Sequence, residues 1–312
     1  MGASSTKPAA RAEWLAKPER GSRVLLRLMS AFSLRCGRRA SRILLHAATV
    51  YFFLFAPRAR RASGRYLRLA LGRKPRLHER YRHLAYFATT IHDRVFLAGG
   101  RADAFDLSVE GGELLREQHA AGRGAILLGA HLGSFEMVGA LGRRIGGVPM
   151  SMAMYEENAR KLRDLLVAIA ADVEPDVVPL GRIDSMLRIA ERVDAGAFVG
   201  MLGDRTIGRE ALHAATVLGG TVHLPTGPMR LAAALGSRVI FMAGLYRGAN
   251  RYHIVFAEVA DFAGLHGAAR TAAIPVAIER YAQLIERQCR SDPYNWFNFY
   301  EFWQMPGGAD GG

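Results

Sequence analysis

His131 and Glu136 follow a short apolar run in Gly124-Ala-Ile-Leu-Leu-Gly-Ala-His-Leu-Gly-Ser-Phe-Glu136. An imidazole titrates near neutral pH and can take a proton from a hydroxyl. A carboxylate beside it can fix its tautomer and stabilise the imidazolium. Gly133 permits the sharp turn such a pair needs. The same residues also admit a structural account, a satisfied loop histidine and a glutamate on a first helical turn, where negative charge suits the helix dipole. Ser134, just before the expected helix, reads as its N-cap. It does not read as a nucleophile. A nucleophile elbow has glycine two residues before and two after the serine, and here those residues are Leu132 and Glu136.

Two further stretches carry chemistry-bearing residues. Val199-Gly-Met-Leu-Gly-Asp204-Arg205 is a second apolar run that ends in glycine and a charged pair. It reads either as a surface turn or as a second strand end opening on the same cleft. Leu224-Pro-Thr226-Gly227-Pro228 reads as a turn feeding a helix, whose first N–H groups can face an oxyanion or phosphate.

These groups need a scaffold. Residues 105–109, 125–128, 148–154, 177–180, 197–202, 239–245 and 253–258 have the apolar character of strands. Between them, residues 113–121, the segment from Ser134, 158–171, 184–194 and 229–235 read as helices, and 274–290 as a long closing helix. Strands alternating with helices predict an α/β fold, a mixed sheet covered by helices on both faces. Residues 77–98 read as a helix leading into it.

The charge is uneven. Residues 1–80 hold 19 of the 42 Lys and Arg but only three of the 28 acids, so the remainder, with 23 basic and 25 acidic residues, is close to neutral. Within the basic segment, Ile43 to Ala56 is free of formal charge and flanked by Arg38, Arg39 and Arg42 before, and Arg58, Arg60 and Arg61 after. As a helix it is roughly 21 Å long, short of the ~30 Å hydrocarbon core. That combination predicts a helix lying in or dipping into one leaflet, with guanidinium groups among anionic headgroups. The expected division is therefore residues 1–75 as a basic N-terminal membrane-association segment and 76–312 as the α/β domain, Lys74-Pro75 marking the boundary. Cys36 and Cys289 are the only cysteines, neither a disulfide framework nor a thiolate metal site.

In this order, the apolar strand with His-x4-Glu, the Gly-Asp-Arg strand end and the Pro-Thr-Gly turn resemble the lipid A late acyltransferase (lauroyl/myristoyl transferase) family, within the wider glycerolipid acyltransferase group. The resemblance spans roughly residues 20–305. It includes the closing aromatic segment Asn295-Trp-Phe-Asn298-Phe-Tyr300-Glu-Phe-Trp303. It implies transfer of a fatty acyl group from an acyl carrier protein thioester to a lipid hydroxyl, with His131 as general base, Glu136 as its partner, and no cofactor or metal. Asp204 matches the aspartate that closes the family's next strand motif, and Arg160 lies where the family often has an arginine facing the acceptor; Arg205, Thr226 and Gly227, in the Gly-Asp-Arg and Pro-Thr-Gly stretches, are expected substrate contacts. The resemblance further implies a lipid A precursor or related envelope lipid as acceptor, while the basic flanks predict an anionic membrane surface as partner and a place on the cytoplasmic face of the inner membrane. The chain departs from many lipid A enzymes at Thr206-Ile207-Gly208, which leaves the acceptor open. Two other functions stay in view. One is a glycerolipid acyltransferase using acyl-CoA. The other is a non-catalytic basic protein binding lipid or nucleic acid through residues 1–80, although the near-neutral body lacks the charge expected of a nucleic-acid-binding domain. The aromatic close reads either as the end of the core or as a lip at a membrane interface.

Overall fold

The computed structural model describes residues 22–144, 149–157, 159–160, 176–182, 184–205 and 210–303. Seven strands form one mixed sheet: β1 (Asp106–Glu110), β2 (Ala125–Gly133), β3 (Met150–Tyr155), β4 (Val177–Leu180), β5 (Phe198–Leu202), β8 (Arg238–Tyr246) and β9 (Arg251–Asp261). Their order across the sheet is β1-β9-β8-β2-β5-β3-β4, with β8 and β9 antiparallel and every other neighbouring pair parallel.

The apolar run that opens β2 is what lets it sit in the middle. Ile126 and Leu128 face one core and Ala125 and Leu127 the other, as alternation along a strand requires. On the first face lie α2 (Pro57–Leu71), α6 (Ser185–Asp194), α7 (Gly227–Leu235) and α8 (Gly267–Ser291). They contribute Tyr66, Leu67, Ile189, Met229, Ile278 and Ile285. On the second lie α3 (Leu77–Ala98), α4 (Glu113–Ala120) and α5 (Phe135–Arg144), with Phe96, Leu115, Met137 and Leu141. Each fully buried Leu, Ile or Phe is worth about 1.5–3 kcal/mol, so the two layers hold the central strands firmly. The expected mixed sheet with helices on both faces is what the chain forms.

Three details differ from the sequence reading. First, residues 212–225 form a hairpin apart from the main sheet, β6 (Leu212–Val217) and β7 (Gly220–Pro225). Its two-residue turn needs positive φ at both positions, and Leu218 (φ 54) and Gly219 (φ 78) supply it. A leucine seldom marks such a turn. Here burial of its side chain and an N–H donated to Glu286 Oε2 at 2.7 Å hold it. Second, α8 begins at Gly267, seven residues before the expected start at residue 274, and so carries Pro275 in its interior. The expected helix over 158–171 falls largely outside the described residues, as does the polar leader 1–20.

Third, the packing does not divide at residue 75. Tyr66 and Leu67 of α2 sit in the same core as Trp296 and Trp303. The long helix α1 (Ser22–Phe55) breaks its regular geometry at Gly37 (φ 79) and is clamped to the body just beyond it. Arg38 donates to both oxygens of the buried Asp93 on α3 at 2.6 and 2.7 Å, and Tyr252 of β9 donates to the same carboxylate at 2.7 Å. Burial works against the Arg38 charge, but Asp93 more than offsets it and holds the guanidinium pKa well above its usual value. Arg42 reaches the Tyr246 hydroxyl at 2.8 Å. Two of the arginines expected among headgroups are therefore turned into the protein. Arg39, Arg58 and Arg61 stay exposed, beside a run of exposed apolar side chains that includes Ile43, Tyr51, Phe52, Leu54 and Phe55. No single helix among the described residues is long and apolar enough to cross a membrane; α1 and α2 together pass that test only as a pair bent by 92°.

Candidate active site

β2 carries His131 to the carboxyl edge of the sheet, and a bulge turns it out there. Gly129 pairs with Met242 of β8, whereas Gly133 pairs with Gly244, so four steps along β2 match two along β8. Extra residues on one strand break the ladder locally and re-aim a side chain. The bulge closes at Gly133, in the left-handed region (φ +69), where an added Cβ would lie 2.0 Å from the Gly244 carbonyl oxygen. Neighbouring β5 runs parallel to β2, with Leu202 opposite Gly129, and so delivers Asp204 to the same edge. Gly203 lets the two strand ends close up: its N–H donates to the Gly129 carbonyl at 2.9 Å, and an added Cβ would press on Leu128 at 2.8 Å. Tyr281 of α8 donates to that same carbonyl at 2.6 Å.

Asp204 is buried and His131 Nδ1 lies 2.8 Å from its Oδ1. Its Oδ2 accepts the His131 backbone N–H at 3.0 Å, the Trp296 indole N–H at 3.0 Å and the Asn298 amide at 2.9 Å. Burial alone would raise this carboxyl's pKa. The attraction and hydrogen bonds of His131, with Arg205 nearby, override it and hold Asp204 far below the usual carboxylate range. An ionised carboxylate only accepts, so Nδ1 is the donor and the free lone pair of neutral His131 is on Nε2. Among the described residues no hydrogen bond is made to Nε2, and the side chain is 28% exposed. The arrangement is a half-open imidazole backed by a buried carboxylate.

The expected His131–Glu136 pairing is replaced by this one. Glu136, on the first turn of α5, has its Oε1 2.9 Å from Arg94 Nε of α3 and accepts the Ser134 hydroxyl on Oε2 at 3.1 Å. Ser134 also accepts the Met137 N–H at 3.3 Å, the N-cap bond its position suggested. Adjacency in sequence points to Glu136; adjacency in the sheet brings Asp204.

The closing aromatic segment completes the site. It lies against the bulge: Phe297 N–H donates to the His131 carbonyl and Gly133 N–H to the Asn295 carbonyl, each at 2.8 Å. Arg205 is spent on it, donating to Asn298 Oδ1 at 2.8 Å and the Phe297 carbonyl at 3.0 Å, with its guanidinium over the Tyr300 ring. On the far side His83 Nε2 donates to the Trp296 carbonyl at 2.9 Å and its Nδ1 accepts from Ser63, also at 2.9 Å. Trp296, Phe297 and Trp303 are buried, so the segment does close the core. The aromatic spacing marks this segment but does not mark Trp296 and Asn298 as partners of Asp204. Their one signal was polar side chains interleaved with aromatic ones.

Arg160 is exposed and follows the carboxyl end of β3, at the same edge, where it lines a hollow with Glu156, Pro179 and Arg182. A second hollow, about 470 Å³, lies among Arg82, Tyr246, Arg251 and Tyr294. Among the described residues, neither His131 nor Asp204 lines either. Thr226 and Gly227 start α7 at the end of the β6–β7 hairpin, and no described contact joins them to His131. No group of three or more potential metal ligands gathers among the described residues.

Residues 65–305 match the family described as bacterial lipid A biosynthesis acyltransferase. The chain belongs to that family. This acyltransferase therefore works with an acyl donor and a lipid acceptor. Among solved structures it is similar to the 1-acyl-sn-glycerophosphate (LPA) acyltransferase PlsC from Thermotoga maritima, at 13% identity and a TM-score of 0.38, over 86% of this chain and 97% of that one. Curated proteins give no significant match.

Proposed function

We propose that this acyltransferase moves a fatty acyl group from an acyl carrier protein thioester to a hydroxyl of a lipid A precursor or related envelope lipid by direct attack. His131 Nε2 takes the hydroxyl proton as the oxygen attacks the thioester carbonyl carbon. The C–S bond then breaks, and the departing sulfur receives that proton. A thioester is already activated, so a positioned base and stabilisation of the tetrahedral oxyanion suffice. The observation that carries this reading is the half-exposed imidazole at a strand end, its Nδ1 bound to buried, ionised Asp204. In this reading Asp204 does the tautomer-fixing that sequence assigns to Glu136. Glu136 stays beside the base as an Arg94-bound charge at the start of α5. Arg160, exposed along the same edge, offers a cation to an anionic group of the acceptor.

The exposed apolar face of α1, with Arg39, Arg58 and Arg61 beside it, supports seating on the cytoplasmic leaflet of the inner membrane. The test is purified protein with carrier-protein thioesters and acyl-CoA in competition, a membrane lipid extract as acceptor, and mass spectrometry of the product. The expected result is acylated lipid from the carrier thioester, lost in a folded His131→Ala variant. Full turnover in that variant would overturn the base assignment, and a preference for acyl-CoA the donor.

A further inference from the structure

Among the described residues, two of the four hydrogen bonds on the Asp204 carboxylate come from His131, and the other two from a segment more than ninety residues away. Besides His131, its two side-chain donors are Trp296 Nε1 and Asn298 Nδ2, at 3.0 and 2.9 Å, both within the closing segment. Asn298 is itself fixed, since its Oδ1 accepts from Arg205 Nε at 2.8 Å, so its amide can point only its N–H groups at Asp204. Trp296 is fixed twice, by the bridge its backbone makes to Leu132 and by His83 on its carbonyl. All three donors are buried or half-buried, where a charge-assisted hydrogen bond is strong and an unmet one costly.

We propose that Trp296 and Asn298 are positioning residues of this acyltransferase, orienting Asp204 so that it holds His131 in the Nδ1–H tautomer. This rests on the His131 reading of the function and extends it to the closing segment. With both donors in place Oδ2 is fully engaged and Oδ1 is left to face Nδ1. Without them only the His131 backbone N–H holds Oδ2, the carboxylate can rotate about that one bond, and the imidazole can flip its proton to Nε2, where it blocks proton abstraction. The other charged or titratable groups around Asp204 are Arg205 beyond β5, Tyr281 and Cys289 from α8, and Tyr300 from the same segment. The tyrosines and the cysteine are held protonated: burial, then Asp204, raises the two tyrosine pKa values, and burial dominates at the cysteine. None of them offers a competing donor to Oδ2 among the described hydrogen bonds.

The experiment pairs a spectroscopic readout with kinetics on the full chain. Trp296→Phe keeps an aromatic ring in the buried site and removes the indole donor together with part of the ring system. Asn298→Ala removes the amide, and Asn298→Ser restores a smaller donor. ¹⁵N imidazole shifts report the His131 tautomer whether or not acyl transfer occurs. The expected result is a parent with Nδ1–H alone, mixed tautomers in Trp296→Phe and Asn298→Ala, and partial return in Asn298→Ser. Turnover should fall by about tenfold in each of the first two with KM unchanged, the scale of one hydrogen bond to a charged group. An unchanged tautomer in both folded variants would overturn the proposal. A tautomer shift in a protein that moves no acyl group would leave the positioning intact and sink the proposed function instead.

Discussion

His131 Nδ1 and Asp204 Oδ1 meet at 2.8 Å although 73 positions separate them in the chain, because β2 and β5 are parallel neighbours that end together. Glu136, much closer in sequence, is bound to Arg94 and Ser134. This sets the two carboxylates against each other in one measurement. Asp204→Asn keeps the shape but turns an acceptor-only group into one that can donate, which favours the wrong imidazole tautomer. Loss of the analogous aspartate in a serine-protease triad lowers turnover by about 10⁴, and a loss of at least about a hundredfold is expected here. Glu136→Gln keeps the Ser134 contact and the helix start, and should cost about tenfold or less. Steady-state rates of the two folded variants decide it, and the reverse ranking would return the partnership to Glu136.

What the sequence revealed and what it hid have physical causes. The apolar run from Ala125 to Leu128 announced a buried strand, and Gly129 and Gly203 marked where two such apolar runs stop. Both were legible because burial on two faces demands an unbroken apolar run. The pairing of the ends was not legible, since sheet order is a non-local property. The bulge before Gly133 was hidden for the same reason; its glycine is required by a carbonyl on β8, not by anything nearby in sequence. Arg38 and Arg42 misled because composition counts charges without saying which have a buried Asp93 or a Tyr246 hydroxyl to meet. The aromatic close was seen as a core plug or a membrane lip. That its polar members bind Asp204 could not be read from aromatic spacing.

The bulge itself can be tested by filling it. Gly133→Ala puts a Cβ 2.0 Å from the Gly244 carbonyl oxygen in a backbone with φ +69, so β2 or β8 has to move. Gly122→Ala has a similar φ of +64 but nothing within 4 Å, and isolates the backbone strain. The control should lose about 1–2 kcal/mol, and Gly133→Ala about 3 kcal/mol or more, as overpacking adds to strain. Denaturant melts of the two proteins measure the difference. Equal losses would mean that the close approach to β8 imposes nothing.

His83 gives the fold an acid-sensitive point behind the site. Burial pushes its pKa down to about 4 from 6.5, despite the opposing hydrogen bond to the Trp296 carbonyl. A lowered histidine pKa means that the native state prefers the neutral ring. Its contribution is therefore complete above about pH 6.5 and is lost as pH falls toward 4, by about 3 kcal/mol in all. Urea melts at half-unit intervals should show stability falling across that window. His83→Gln, which cannot titrate, should flatten the fall while lowering stability at neutral pH. A parent whose stability is level from pH 7 to 4.5 would contradict the buried neutral ring.

On the outer face of α1, Ile43 and Phe55 are 74% and 69% exposed and Phe52 59%. Apolar side chains on a helix pinned by Arg38 to Asp93 cannot retreat into the core, because the pin fixes which side of the helix faces inward. Burial of one large apolar side chain is worth about 1.5–3 kcal/mol, so each aromatic removed from a leaflet should weaken partitioning by about tenfold or more. Phe52→Asp with Phe55→Asp changes nothing buried, so the fold should melt as before. Flotation with vesicles of anionic and neutral lipid separates the two contributions. The double variant should leave both kinds of vesicle, whereas Arg58→Gln with Arg61→Gln should leave only the anionic preference diminished, most clearly at low salt. Undiminished flotation of the double aspartate variant would show that this face is not what meets the lipid.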